Sequence, residues 1–321
     1  MPKRKQIFFV LILVFFAFAN SQDLDSAVLD NTIKPARLAL IGSGIATTYT
    51  AIYLVFLKEG WWPGGESAQK FNFERVKHDF GYASNLDKFG HFYTGAIFGE
   101  LFAMSYDWVG LSQFVSTLLA GVTLGATQVA IEFKDGFSPY GYSFYDALAG
   151  TLGGFYAMGK RFVPAMQYID YKFTYWPNSS LYWDSTRKHG GEQMGGKLTG
   201  GDGVFVDDYY GGNQTHWISF KVAKMLPKSA KTNYPEWLAF AFGWGIDDGH
   251  YTVGWGKSRY EFYASLDYDL EAVFNPQKTW SKNLVKILNF VKFPAPAVRF
   301  DGRDGPKFFP LHPLHGFYVI F

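Results

Sequence analysis

Asn85-Leu-Asp87-Lys88-Phe-Gly90-His91 opens a stretch that runs to Gly154, passing Glu132-Phe-Lys134-Asp135-Gly136 and Ser143-Phe-Tyr-Asp146-Ala-Leu-Ala-Gly150 on the way. Most of its ionisable residues fall at the ends of apolar segments, where a helix starts or stops. Three helical segments are expected, at about 86–106, 111–133 and 143–162. Each carries one glycine pair at a four-residue spacing: Gly95/Gly99, Gly121/Gly125 and Gly150/Gly154. Such a pair puts a flat groove on one helix face, so that neighbouring backbones can approach closely. The stretch therefore predicts a glycine-packed bundle with a polar cluster at its rim.

Upstream, Met1-Pro-Lys3-Arg4-Lys5 is a basic start and Ile7 to Phe18 an apolar run, followed by the small residues Ala19-Asn20-Ser21. That order reads as a signal peptide over 1–21, cleaved before Gln22, with a polar linker over 22–36. Leu38 to Leu57 is uncharged, bracketed by Arg37 and by Lys58-Glu59. At ~1.5 Å per residue a helix of that length reaches across a hydrocarbon core. Trp61-Trp62 sits where an interfacial aromatic belt would lie. With this run the helical domain, 37–164, holds about four helices. Inside it, Gly42-Ser43-Gly44 looks like the start of a dinucleotide-binding fingerprint. However, Thr47 occupies the third glycine position and no strand precedes the first, so no cofactor-binding residue is assigned.

From about 165 glycine, proline, asparagine and aromatics dominate, and an aromatic-rich β domain is expected over 165–321. Tyr260 to Leu270 is the clearest strand, with Tyr260, Phe262, Ala264, Leu266, Tyr268 and Leu270 alternating with more polar residues. Ile218, Phe220 and Val222 alternate as well; Trp237–Trp244 and His250–Trp255 read as further strands, and Leu284–Val291 as a short helix. The fold class is α+β, a helical bundle followed by an antiparallel β-rich region. The ending Phe317-Tyr-Val-Ile-Phe321 resembles the closing strand of outer-membrane β-barrels. Several segments are short or broken by proline, so a sheet with one face packed on the helices is the expectation carried forward.

Composition narrows the function classes. The 321 residues are 48% hydrophobic and 20% aromatic, weighted as proteins that meet a membrane interface are. Charged residues make up 18%, against about a quarter in ordinary domains. A net charge of +2 gives no reason to expect a nucleic-acid partner. The absence of cysteine removes disulfides, thiolate metal sites, a cysteine nucleophile and a lipid anchor on cysteine.

Asp87 and His91 are four apart and share a helix face; Glu132 and Asp135 end the next helix, and Asp146 opens the last. Up-and-down packing brings these ends together. Asp87, His91, Glu132 and Asp146 are therefore the candidate catalytic residues, and Asp87, His91 and Glu132 the candidate ligands of a divalent metal. A purely structural reading competes with this one. Ser84-Asn-Leu-Asp87 and Ser143-Phe-Tyr-Asp146 both have the form of a capping box, with Lys88 then free to pair with Glu132 or Asp135. Glu100 stands alone in mid-helix. No nucleophile elbow, His-Glu-x-x-His or phosphate-binding loop is present.

Asp87-Lys88-x-Gly90-His91, Glu132-x-Lys134-Asp135 and Ser143-x-x-Asp146, taken in order, resemble the bacterial YfiM-like domain of unknown function and are more distantly similar to the VanZ-like family of membrane proteins. The resemblance covers about 85–160. It implies an exported protein of the cell envelope, on the periplasmic side and at the outer rather than the inner membrane. The chain departs from the YfiM-like pattern in having Gly150 where many relatives carry asparagine, and in lacking the lipoprotein cysteine. The leading expectation is a non-enzymatic envelope protein whose partner is membrane lipid or another envelope protein. The alternative is a membrane-associated, metal-dependent hydrolase acting on an envelope lipid or cell-wall precursor.

Overall fold

The computed structural model describes residues 33–52, 70–80, 82–137, 141–176, 188–189, 192–193, 214–227, 229, 234–246, 259–302, 305–314 and 319–320. The expected signal peptide, most of the linker and the expected strand His250–Trp255 lie outside the described residues.

In the N-terminal half the apolar runs become helices: α1 Pro35–Ile52, α2 Val76–Asp79, α3 Leu86–Val109, α4 Gln113–Asp135 and α5 Phe144–Phe162. α3 stops at Gly110, whose φ of 99° suits glycine and whose N–H closes on Asp107 O and Tyr106 O. Ser112 caps α4 by accepting from Val115 N, and Ser143 caps α5 by accepting from Asp146 N. Lys160 and Arg161 end α5 where the helix dipole favours cations, with Pro164 just beyond. Counting the turns Tyr82–Asn85 and Pro164–Tyr168, the described helical part has seven helical segments rather than about four. The extra ones are single turns in the connections, too short to carry an apolar period.

α3, α4 and α5 form the core of the bundle, and two of the three glycine pairs make its tightest seam. A Cβ on Gly95 would lie 1.9 Å from Gly150 O, one on Gly153 would lie 2.0 Å from Phe92 O, and one on Gly99 would lie 3.3 Å from Gly154 Cα. Backbone thus rests on backbone between α3 and α5. The third pair does not act this way: Gly121 faces the Met158 side chain and Gly125 faces open space. α1 joins only at the far end, where Ile41 packs with Trp108 and Val109, and Arg37 donates to Trp108 O at 3.0 Å.

The C-terminal half is an antiparallel sheet in the order β1-β4-β5-β6-β7-β8-β9, with a separate hairpin β2-β3. The strands are β1 Ile169–Tyr175, β2 Lys188–His189, β3 Glu192–Gln193, β4 Gln214–Phe220, β5 Leu238–Ile246, β6 Tyr260–Tyr268, β7 Ala295–Phe300, β8 Lys307–His312 and β9 Val319–Ile320. Val222, expected to extend a strand, instead opens the one-turn helix α6 Val222–Met225, and α7 Leu270–Phe274 and α8 Thr279–Leu288 link β6 to β7. α8 replaces the helix expected at Leu284–Val291 and starts earlier.

The sheet is rolled. In a flat sheet β1 and β6, three strands apart, are separated by about 14 Å. Here Lys172 Nζ on β1 lies 2.8 Å from Asp267 Oδ2 on β6. The free side of β1 is also closed by the segment leading into β7: Phe173 N donates to Phe290 O at 2.9 Å, and Lys292 N donates to Phe173 O at 3.0 Å. The inner face holds Lys172, Trp217, Tyr263 and Asp267, all at most 2% exposed. Gly243 makes room for Trp217, since a Cβ there would meet the indole at 2.6 Å. The outer face is aromatic and only partly covered. Phe240, Phe242, Phe262 and Phe300 are 42–60% exposed. The expected packing of one face on the helices holds for the first strands alone.

That packing is an aromatic seam. Tyr171 and Phe173 meet Phe92 and Tyr93 of α3 at centroid distances of 4.8 and 4.9 Å, and Phe89 meets Trp244 at 4.9 Å. His216, fully buried, sits among them with Nδ1 3.0 Å from the Tyr171 hydroxyl. Burial pushes its pKa down from 6.5 to about 3.

Two measurements check these contacts. Gly95→Ala is expected to lower stability by more than about 2 kcal/mol, because backbone cannot step aside, whereas Gly125→Ala, in open space, is expected to raise it by up to ~1 kcal/mol; denaturant titration reads both. His216 is neutral when folded but takes up a proton near pH 6.5 when unfolded. Its contribution is therefore intact above that pH and lost as the pH falls towards about 3, with a slope of up to ~1.4 kcal/mol per pH unit. The melting temperature of the wild type minus that of His216→Gln should fall between pH 6.5 and pH 5.

Candidate functional site

Three helix ends and one turn build the rim of the bundle. α3 and α5 run in the same direction and present their first turns there, carrying Asp87, Lys88, His91 and Asp146; α4 runs the other way and presents its last turn with Glu132. The fourth contributor is Asp79, the last residue of α2. The chain reaches it through Ala83, Ser84 and Asn85, three residues in succession with φ between 45° and 66°. That left-handed reversal is anchored by Ala83 and Leu86, which pack with Ile246 of β5.

Lys88 is the centre of the cluster. Its Nζ is 2.8 Å from Asp87 Oδ2 and 2.8 Å from Asp146 Oδ1, and it pairs with Asp79 Oδ1 as well. The expected partners of Lys88, Glu132 and Asp135, are replaced by these three aspartates, because the ammonium points inward between α3, α5 and the turn. Ser143 Oγ donates to Asp79 Oδ2 at 2.9 Å and accepts from Asp146 N at 3.0 Å. Only half of the expected capping box at Ser143 is made within the motif. The backbone N–H of Ser143 donates to Glu132 Oε2, at 3.3 Å, so the returning carboxylate comes from α4. The box expected at Ser84 does not form: the cap position falls to Asn85, left-handed and without a side-chain cap.

His91, partly open to solvent, faces two carboxylates. Nδ1 is 3.9 Å from Glu132 Oε1, and Nε2 is 3.9 Å from Asp146 Oδ1. All four candidate residues are thus gathered at one place, with Asp79 and Ser143 added. Neither of these two was a candidate: Asp79 lies in a connection with no periodic signal, and Ser143 carried only a capping signal.

Electrostatics follow from burial. Asp79, Asp87, Glu132 and Asp146 are 2–8% exposed, and the described structure sets Lys88 and His91 against them. Burial, then repulsion from Asp146, pushes the Asp87 carboxyl up to about 8 against the pull of Lys88. Burial, then Asp146 and Asp135, pushes Glu132 up to about 10. Burial works against the Lys88 ammonium, but Asp87 and Asp146 more than offset it and hold its pKa above the ordinary value. Such a cluster can store a proton on a carboxyl or accept a cation beside the imidazole.

The other end of the bundle holds a polar cleft of about 690 Å³. Glu100, expected to stand alone, is buried there, with Oε1 3.6 Å from Arg161 Nη1, and Arg161 also pairs with Asp107. Lys160 and Lys221 both pair with Asp170 of β1. These opposite charges pair off across the junction of bundle and sheet, which gives the cleft a structural role.

Lys88→Met is expected to cost about 3–5 kcal/mol in equilibrium unfolding, because three buried aspartates lose their cation, while Asp87→Asn, which leaves Lys88 with two partners, is expected to cost clearly less. Compared with known proteins, the chain matches no family model, no curated protein and no solved structure.

Proposed function

We propose that the chain is a cell-envelope protein that sits against a membrane through the α4–α5 face and has a structural or interaction role. The observation that carries the reading is a reversed distribution of polarity. Charged residues fill the interior of both halves, from Asp87, Glu132 and Asp146 at the rim to Lys172, Asp267 and Lys292 inside the rolled sheet. Large apolar side chains lie outside. On α4, Phe114, Leu118, Val122, Val129 and Phe133 are 50–67% exposed, and on α5 Phe144, Leu148, Leu152, Phe155 and Phe162 are 41–60% exposed. Water-soluble proteins keep to the opposite pattern and rarely expose contiguous apolar patches above a few hundred Å².

Among the described residues α4 is also the helix long and apolar enough to cross a membrane by length and composition, with a mean hydropathy of 1.6 over its best window. The basic start, apolar run and small residues of 1–21 support export. The resemblance to YfiM-like domains supports the periplasmic side, and the aromatic outer face of the sheet supports the outer membrane.

A second reading, a metal-dependent hydrolase acting on an envelope lipid or cell-wall precursor, is favoured by one observation. His91, Glu132 and Asp146 bring their ligand atoms together at a rim that His91 leaves partly open. It requires a bound cation, which the metal titration below measures.

Alkaline carbonate extraction and flotation with lipid vesicles test the leading reading. The wild type is expected to stay in the membrane pellet and to float with vesicles, and Leu118→Glu with Val122→Glu is expected to reduce flotation at least tenfold. Retention in cells without flotation on pure lipid would show a protein partner on this face. Release of the wild type into the wash would overturn the reading.

A further inference from the structure

We infer that His91, Glu132 and Asp146 form a binding site for a single divalent transition-metal ion. One ligand atom from each lies within 4.8 Å of the other two, and each comes from a different helix of the bundle. A tetrahedral ion with bonds of ~2.1 Å needs donors roughly 3.4 Å apart. The 3.9 Å approaches at His91 use opposite ring nitrogens, Nδ1 towards Glu132 and Nε2 towards Asp146, and one ion takes only one of them. The separation of up to 4.8 Å between single ligand atoms is therefore what side-chain rotation has to close. The donor set also selects the ion. One imidazole with two carboxylates suits Zn²⁺ or Mn²⁺ better than Mg²⁺ or Ca²⁺, which take oxygen alone.

The ligand set differs from the one legible in the sequence, because Asp87 gives way to Asp146. Lys88 lies 2.8 Å from an oxygen of each, and what separates them is position: Asp146 Oδ1 is 3.9 Å from His91 Nε2, and Asp146 is the aspartate grouped with His91 and Glu132. Asp79 is spent on Lys88 and Ser143. A second acidic group, Glu74, Asp79 and Asp146, has no nitrogen donor and shares that occupied Asp79.

Two further observations point to an ion rather than to a finished salt-bridge network. Four buried carboxyl groups face one lysine and one histidine among the described residues, so they cannot all ionise without a further positive charge in a place where uncompensated charge is costly. A dication would supply that charge in place of bound protons. Beneath the cluster, Gln128 is 3% exposed and its Oε1 has no hydrogen-bond partner. Gln128 is one turn below Glu132 on the same face of α4, and its carboxamide rests where a Cβ on Gly150 would be, one turn past Asp146. A buried amide oxygen left unpaired costs about 1–3 kcal/mol. A water held by a bound ion would offer a donor to such an oxygen. The site is independent of which membrane the bundle meets and of whether the rim turns over a substrate.

The test uses the full exported chain in mild detergent, stripped with a chelator and titrated with Mn²⁺ followed by electron paramagnetic resonance, and with Zn²⁺ against a chromophoric competitor. One ion per chain is expected. His91→Ala and Glu132→Gln are each expected to weaken it at least 100-fold, while Asp87→Asn stays within tenfold of wild type. His91 is partly exposed, so the circular dichroism and melting temperature of His91→Ala in chelator should match those of the stripped wild type, separating lost ligation from lost fold. No stoichiometric binding of either ion, or binding unchanged in His91→Ala, would overturn the inference. Equal loss in Asp87→Asn would overturn the ligand assignment.

Discussion

Gly95 of α3 rests so close on the backbone of Gly150 of α5 that it could not carry a methyl group, and much of the molecule depends on that contact. His91 precedes Gly95 by one turn and Asp146 precedes Gly150 by one turn, so the close approach of the two backbones is transmitted to the rim as a meeting of imidazole and carboxylate. The same contact lets Lys88 reach across from α3 to Asp146. Ordinary side chains at the seam would hold helices about 8–10 Å apart and would open the cluster to water. Glycine gives up helix propensity at these positions, and the rim geometry is what that loss makes possible.

The rim combines parts with opposing tendencies. The first turns of α3 and α5 favour the carboxylates of Asp87 and Asp146, whereas Glu132 sits in the last turn of α4, where the helix dipole disfavours a negative charge. Burial and repulsion then raise Glu132 further, and Ser143 N partly compensates by donating to it. One lysine joins three aspartates from α2, α3 and α5, so the cluster also ties the connection before α3 to the bundle.

The two halves share a logic of polarity although their secondary structures differ. In the bundle, glycine and alanine line the helix contacts and the large apolar residues point away. In the sheet, rolling turns a polar face inward, where Lys172, Asp267 and Lys292 satisfy one another, and turns the phenylalanines of β5, β6 and β7 outward. The aromatic seam between α3 and the first strands joins the halves where both outer surfaces meet.

Taken alone, the sequence determined the α+β order, the three long helices to within a few residues, the alternation of the central strands and four of the rim residues, Asp87, His91, Glu132 and Asp146. Each of these rests on local periodicity or on charges placed at segment ends, which a linear reading can detect. Tertiary structure alone decided the rest. Asp79 joins the cluster through a left-handed turn with no apolar period, and the partner of Ser143 N is Glu132 from another helix. Gly121 and Gly125 share the spacing of the other pairs but lack a facing backbone. Lys88 chose Asp79, Asp87 and Asp146 because direction, not separation along the chain, selects an ion pair. The roll of the sheet depends on contacts between strands nearly a hundred residues apart, such as Lys172 with Asp267, and no local pattern records those.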